Sequence, residues 1–244
     1  MRRPKPLSTG SRVQVIAPSS PFDPEHLAEG LRILDAMGLI PVVADRVFEK
    51  DDFLAGTDAA RGAELVAALT APDGQAVFPV RGGYGAERLL PLLDAHADHI
   101  VPTLWMGFSD FTALHLFLLN HGGLTSLHGP NVVSIGRLDA ASRERLEAAI
   151  FGRDWERTFF YDGLTPLQGG CAEGPLTAGN LAVIASLFGT PYAPCLDGRI
   201  LVLEDVHEPV YRIDRMLTQL TMQPGFDRIA GVAFGDLSVP HELM

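Results

Sequence analysis

Five short apolar runs alternate with stretches of helical period, and that alternation limits the chain to few architectures. The runs are Val13–Ala17, Leu39–Ala44, Ala76–Val80, Ile100–Met106 and Leu124–Leu127. Leu27, Leu31, Leu34 and Met37 recur at three to four residues over Pro24–Met37, and Gly38 supplies a stop. A second helix, capped by Thr57 or Asp58, runs to about Leu69, and Ala86–Leu93 and Thr112–Asn120 follow. Strands separated by helices build βαβ units and a mostly parallel sheet covered on both faces. In such sheets ligands sit beyond the C-terminal ends of the strands. Three polar or glycine-rich turns follow strand ends here, Arg81–Gly85, Gly107–Asp110 and His128–Pro130, so they are expected to converge on one edge.

Regularity drops after about Ile135. A charged helix over Ala141–Phe151 and a short strand over Thr158–Tyr161 precede a glycine-rich stretch. A second region then begins near Pro175. Gly179-Asn180 leads a helix that stops at Gly189, and Arg199–Val206 is a strong strand ending in Glu204-Asp205. A helix over Tyr211–Leu220 and a strand over Ile229–Phe234 complete it. The expected division is residues 1–135 for the first domain, 136–174 for a linker or crossing segment, and 175–244 for the second.

Composition narrows the function by exclusion. The 244 residues carry a formal charge of −11, which argues against a dedicated nucleic-acid binder. No stretch approaches the ~20 apolar residues of a membrane span, and the basic N-terminus lacks a signal-peptide core. A cytoplasmic enzyme is the expectation. Cys171 and Cys195 have no metal-ligand spacing and read as small semi-buried residues. The histidines lack an H-x-x-x-H pair, so no metal is expected.

The chemistry is expected at Leu104–His115, LWMGFSDFTALH. A serine on a sharp strand-to-helix turn projects its hydroxyl off the sheet edge, beside free backbone N–H groups and the positive end of the helix. Ser109 is therefore a candidate nucleophile. Gly107 fits a G-x-S-x-G elbow, but Phe111 does not, and Ser109 or Asp110 would equally serve as a helix cap. RGGYG at 81–85 does not match a dinucleotide loop. Its glycine pair suits an oxyanion hole, or simply a tight turn. Glu204-Asp205, at the end of an apolar strand, could orient a catalytic histidine or be an exposed strand end paired with Arg212 or Arg215. His26, His96, His99 and His121 read as solvent-facing. His115 reads as turned away from Ser109, and His128 and His207 lie near the inferred site.

Taken together these segments resemble the LD-carboxypeptidase family, which includes the murein tetrapeptide carboxypeptidases and the microcin-immunity peptidases. The resemblance rests on VIAPSSP at 15–21, RGGYGAERLLPLLD at 81–94, GFSDFTALH at 107–115, HGP at 128–130, GNLAVIASLFGTPY at 179–192, LVLEDVHEPVYRIDRMLTQL at 201–220 and IAGVAFGD at 229–236, in family order. It implies an α/β fold: a Rossmann-like, class I amidotransferase-like N-terminal domain and a smaller, truncated C-terminal domain of the swivelling β/α type, with the active site between them. It implies Ser109 as nucleophile, Glu204 as triad acid, and the backbone N–H groups of Gly83 and Asp110 as the oxyanion hole. It further implies hydrolysis of the L,D-amide to a terminal D-Ala of murein tetrapeptides in peptidoglycan recycling, without cofactor or metal, by a cytoplasmic protein that is often a homodimer. The alternatives are a microcin-immunity-like peptidase acting on an aminoacyl-nucleotide antibiotic, and a relative that only binds muropeptide. The family's histidine, in a G-H-G-type segment, is not matched; neither His207 nor His241 carries the motif, and the readings left open are a lost tail, substitution by His241 or His207, and a relative that only binds. Arg81 is a candidate binder of the substrate carboxylate by charge.

Overall fold

The structure, a computed structural model, describes residues 1–72, 74–153 and 163–238. The chain divides into two compact units, Met1–Leu164 and Thr165–Met244. The expected strand over Thr158–Tyr161 and His241 lie outside the described residues.

The first unit is built on five strands: β1 (Arg12–Ile16), β2 (Ile40–Val43), β3 (Ala76–Pro79), β4 (Leu104–Gly107) and β5 (Leu127–His128). They pair in parallel in the order β2-β1-β3-β4-β5. The order reverses between β1 and β3, and a crevice opens at such a switch point beyond the strands' C-terminal ends. β3 and β4 are buried along their whole length, as expected of central parallel strands covered on both faces. The helix Pro24–Ala36 is capped by the Asp23 carboxylate on the Glu25 N–H, and the helix Asp58–Thr70 by the Thr57 hydroxyl on the Ala60 N–H. The helix Thr112–Asn120 is apolar almost all round and lies inside the unit, with Leu114, Leu116, Phe117 and Leu118 buried. The helix Ala140–Ile150, from the segment expected as linker, packs Leu146 and Ile150 into this unit's core.

Several boundaries differ from the sequence reading. Ile100–Thr103 is not strand: Ala97–His99 forms a 3₁₀ turn, and Pro102 has no N–H to give a ladder. The expected helix Ala86–Leu93 is a 3₁₀ turn, Glu87–Leu89, followed by a short helix, Leu90–Asp94, with Pro91 in its first turn. The fifth strand sits at Leu127–His128 rather than Leu124–Leu127, in register with Met106 and Gly107.

The second unit has a parallel three-stranded sheet, β6 (Leu176–Asn180), β7 (Ile200–Val206) and β8 (Gly231–Ser238), with β7 central. β6 escaped the sequence reading, because Gly179 and Asn180 read as a helix start. Asn180 does both jobs: it ends β6 and its side chain caps the helix Leu181–Leu187 through the Val183 N–H. The helix Val210–Thr221 buries Met216 and Leu220. Cys171 and Cys195 are exposed, not semi-buried, since both fall in loops.

Candidate active site

Ser109 begins the turn between β4 and the helix Thr112–Asn120. Its φ is +63°, one of three positive values among the described non-glycine residues. An L-residue pays about 1–2 kcal/mol for this conformation, and such strain collects at functional turns. Tight packing holds it there. A Cβ on Gly107 would come 2.5 Å from the Phe111 ring, so only glycine lets strand and turn approach. Phe111, the residue that broke the elbow pattern, is thus the ring seated on Gly107, and it stacks further on Trp105. The helix is entered without a side-chain cap, so the hydroxyl of Ser109 is not spent on capping.

The three expected turns do converge. The Gly129 N–H donates to the Gly107 carbonyl at 2.9 Å, and the Phe108 N–H donates to Asn131 Oδ1 at 3.2 Å. The Arg81–Gly85 loop lies on the other side. Its Gly82 approaches so closely that a Cβ there would sit 2.9 Å from Ser109 Cβ and 3.0 Å from Oγ. Gly83, at φ +111°, is equally confined, with Ser20 Oγ 2.4 Å from a Cβ position. Asp110 is in the first turn, where a backbone N–H has no intrahelical partner. A pocket of about 430 Å3 opens at Ser109, lined among others by Phe22, Arg81, Gly82, Gly83, Asn131 and Arg137. Arg81 also donates to the Pro21 carbonyl at 2.9 Å. His26, expected to face solvent, is exposed but stands on this pocket's wall with Asp23.

His115 has no part in the Ser109 pocket wall; it works on the strand end behind it. The helix leans back over its own first turn, so His115 Nε2 reaches the Gly107 carbonyl at 2.8 Å, and Nδ1 meets Ser126 Oγ at 2.7 Å. Nε2 must carry the proton, because a carbonyl only accepts, and Nδ1 then accepts from the serine. Burial, then the neighbouring His128, push its pKa down to about 3. His115 is a neutral brace for the β4 end. His128 stands 6.0 Å from it, ring to ring, and does not line the pocket.

A buried network missed by the sequence reading lies behind the turns. Arg61 is fully buried and donates to the carbonyls of Pro18, Gly56 and Gly85, and to Asp58. On sequence it is an ordinary helix charge, and no periodicity distinguishes it. The Asp110 carboxylate, 3% exposed, accepts from Ser19 Oγ at 2.6 Å and the Ala86 N–H at 2.9 Å. Burial pushes its pKa up, against those hydrogen bonds.

In the second unit Glu204 pairs across from Asn180 on β6. The β7–β8 register slips between Leu203 and Asp205, so Gly235 and Asp236 bulge opposite Glu204. Burial first, then the charges of Asp205 and Asp236, push the Glu204 carboxyl up to about 7, while a hydrogen bond from Asn180 works the other way. Asp205 points into the unit and accepts from Asn180 Nδ2 at 3.0 Å and the Ala182 N–H at 2.9 Å. Arg212 pairs with Glu208 instead of with either carboxylate, and Arg215 lies over the Tyr211 ring. His207 has φ +65° just past the strand end. Among the described residues no cluster of His, Cys, Asp and Glu suits a metal ion.

A parallel sheet with a strained serine between a glycine loop and a helix start is an arrangement that serine hydrolases built on α/β sheets use to present a nucleophile. The chain belongs to the LD-carboxypeptidase family: residues 13–129 match the LD-carboxypeptidase N-terminal domain and residues 173–243 the C-terminal domain. It is 44% identical to a putative carboxypeptidase of Streptomyces coelicolor, over 96% of this chain and 77% of the relative. It is 35% identical to the murein tetrapeptide carboxypeptidase of Pseudomonas aeruginosa, over 93% of this chain and 76% of the relative. Among solved structures, a muramoyltetrapeptide carboxypeptidase from Oxalobacter formigenes superposes with a TM-score of 0.79 at 26% identity, over 94% of this chain and 78% of that one. An MccF-like protein from Bacillus anthracis shares the fold, with a TM-score of 0.86 at 23% identity over 97% and 81%. The chain is a serine-type carboxypeptidase of this family.

Proposed function

We propose that this carboxypeptidase hydrolyses the L,D-amide bond to the terminal D-Ala of murein tetrapeptides, with Ser109 as nucleophile. The observation that carries this reading is the left-handed backbone of Ser109 at the β4 end, facing the pocket and the glycine loop. In the reaction Ser109 Oγ attacks the amide carbon, its proton passes by way of a base to the amide nitrogen, the C–N bond breaks, and D-Ala leaves as the free amine. Water then hydrolyses the acyl-enzyme. The N–H groups of Gly83 and Asp110 stabilise the oxyanion at each step. Glu204 is the triad acid, the group that orients such a base, and the base's role is assigned to no histidine of this chain. His115 is not that base, because both its ring nitrogens are committed. Arg81 and Arg137 are the cations on the pocket wall, and they suit the free carboxylate that a carboxypeptidase must read.

The test is release of D-Ala from an L,D-linked tetrapeptide, abolished by Ser109→Ala and by Glu204→Gln. Wild-type protein that binds the peptide and releases nothing refutes the reading, and cleavage of an aminoacyl nucleotide in its place selects the microcin-immunity alternative. Action in the cytoplasm on recycled peptides, as a homodimer, is part of the same proposal. No helix among the described residues is long and apolar enough to cross a membrane. Cell fractionation and sedimentation test location and assembly.

A further inference from the structure

The serine pair of the VIAPSSP segment, at the end of β1, has no part in the proposed chemistry, and neither has the side chain of Asp110. Their contacts give them one. Ser19 Oγ donates to Asp110 Oδ2 at 2.6 Å, and the same oxygen accepts from the Ala86 N–H at 2.9 Å, just past the glycine loop. Ser20 Oγ accepts from the Tyr84 N–H at 3.1 Å, inside that loop. Ser19 therefore grips the nucleophile turn and Ser20 grips the loop opposite. Asp110 joins the two directly. The Ser19 and Asp110 groups are buried, so neither bond is diluted by water.

We propose that the Asp110 carboxylate, Ser19 and Ser20 form a clamp that sets the spacing between the Ser109 turn and the Gly82-Gly83 loop, and so positions the oxyanion hole. Asp110 then acts twice: its backbone N–H faces the oxyanion, and its side chain holds the opposite donor in place. The side chain is a positioning group. The Ser19 and Ala86 bonds meet at one oxygen, the Gly85 N–H also bonds to the carboxylate, and the Arg61 charge faces it. The proposal is that the clamp needs the acceptor and not the charge.

This inference rests on the Ser109 reading, and its test separates the two. Two rates are measured for each variant: D-Ala release, and labelling of Ser109 by a fluorophosphonate, which reports a reactive serine and a formed oxyanion hole without any peptide. Peptide affinity is measured in the Ser109→Ala background. Asp110→Ala is expected to lower kcat and labelling about 10²-fold, the loss typical of one missing oxyanion donor, with peptide affinity within about three-fold. Asp110→Asn, whose amide oxygen can accept both bonds, recovers most of that loss. Ser19→Ala, which leaves the Ala86 bond intact, shows a smaller loss of the same kind. Asp110→Asn as damaging as Asp110→Ala overturns the clamp, because charge would then be the requirement. Asp110→Ala with wild-type labelling also overturns it. If Asp110→Ala fails to fold, Ser19→Ala and Ser20→Ala decide: unchanged labelling in both refutes the proposal. A wild type that labels at Ser109 but releases no D-Ala refutes the peptide assignment and leaves the clamp testable by labelling alone.

Discussion

Gly82→Ala should disable the site while leaving the fold standing. The φ of Gly82 lies outside the left-handed region, so alanine there meets no left-handed backbone penalty. The new methyl, however, would stand 2.9 Å from Ser109 Cβ and 3.0 Å from Oγ. Carbon atoms at rest are about 3.5–4.0 Å apart, so loop and serine must separate by somewhat under or about 1 Å. A displacement of that size at reacting atoms costs about 10²-fold in rate, or about 2.7 kcal/mol of barrier. On the stability side, glycine-to-alanine stiffening of the unfolded chain contributes about 0.4–1 kcal/mol, against about 1–3 kcal/mol for overpacking. The net change is a kcal/mol or two, a few degrees in Tm. The assay pairs D-Ala release with thermal unfolding, using Gly83→Ala as contrast. Gly83 has φ +111° and a Cβ position 2.4 Å from Ser20 Oγ, so alanine there adds backbone strain to a harder collision and should cost more stability. Wild-type turnover in Gly82→Ala refutes the argument. So does a loss of Tm as large as that of Gly83→Ala, because the defect would then be in folding.

Three more outcomes follow from the same geometry. Ser109→Gly abolishes turnover yet raises Tm by up to about 6 °C, since glycine sheds a backbone cost of about 1–2 kcal/mol against about 0.4–1 kcal/mol of added unfolded-chain entropy, at about 2–4 °C per kcal/mol; a lower Tm would show that the turn is not strained. Glu204, with an ordinary pKa of 4.5 and a folded value of about 7, is protonated in both states at acid pH. As pH rises from 4.5 through about 7 the unfolded chain ionises first, so wild type loses stability relative to Glu204→Gln across that window and the two converge below it; a pH-independent difference between their Tm curves contradicts the buried-carboxyl reading. Arg137→Gln raises KM about ten-fold for a peptide ending in free D-Ala and leaves the poor cleavage of the C-terminal amide unchanged; an equal effect on both substrates removes Arg137 from carboxylate recognition.

The sheet of the first unit was legible because each of its first four strands is an apolar run closed by a turn residue, and parallel strands need long crossovers. The Ser109 turn and the glycine loop were legible as neighbours for the same reason: both follow strand ends. What stayed hidden depends on burial. Arg61 and the Asp110 side chain are charged residues at a helix start and a turn, where charges are usually solvated, and only the packing of three separate loops makes them interior. β6 stayed hidden because the Gly179-Asn180 pair signals a helix start and is also a strand end. The spacing of six residues puts His115 off the face of Ser109, but gives no sign of what it holds instead. Its contact is with the Gly107 carbonyl, one turn back along the chain.

The backbone of Ser109 also restricts what chemistry this scaffold can acquire. At φ +63° a β-branched side chain collides with its own main chain. Threonine, the hydroxyl nucleophile a single substitution away in chemistry, is therefore closed to this turn, whereas cysteine adds no second branch at Cβ. The route open to this fold for changing its nucleophile runs from oxygen to sulfur, toward a thioester intermediate in place of an ester.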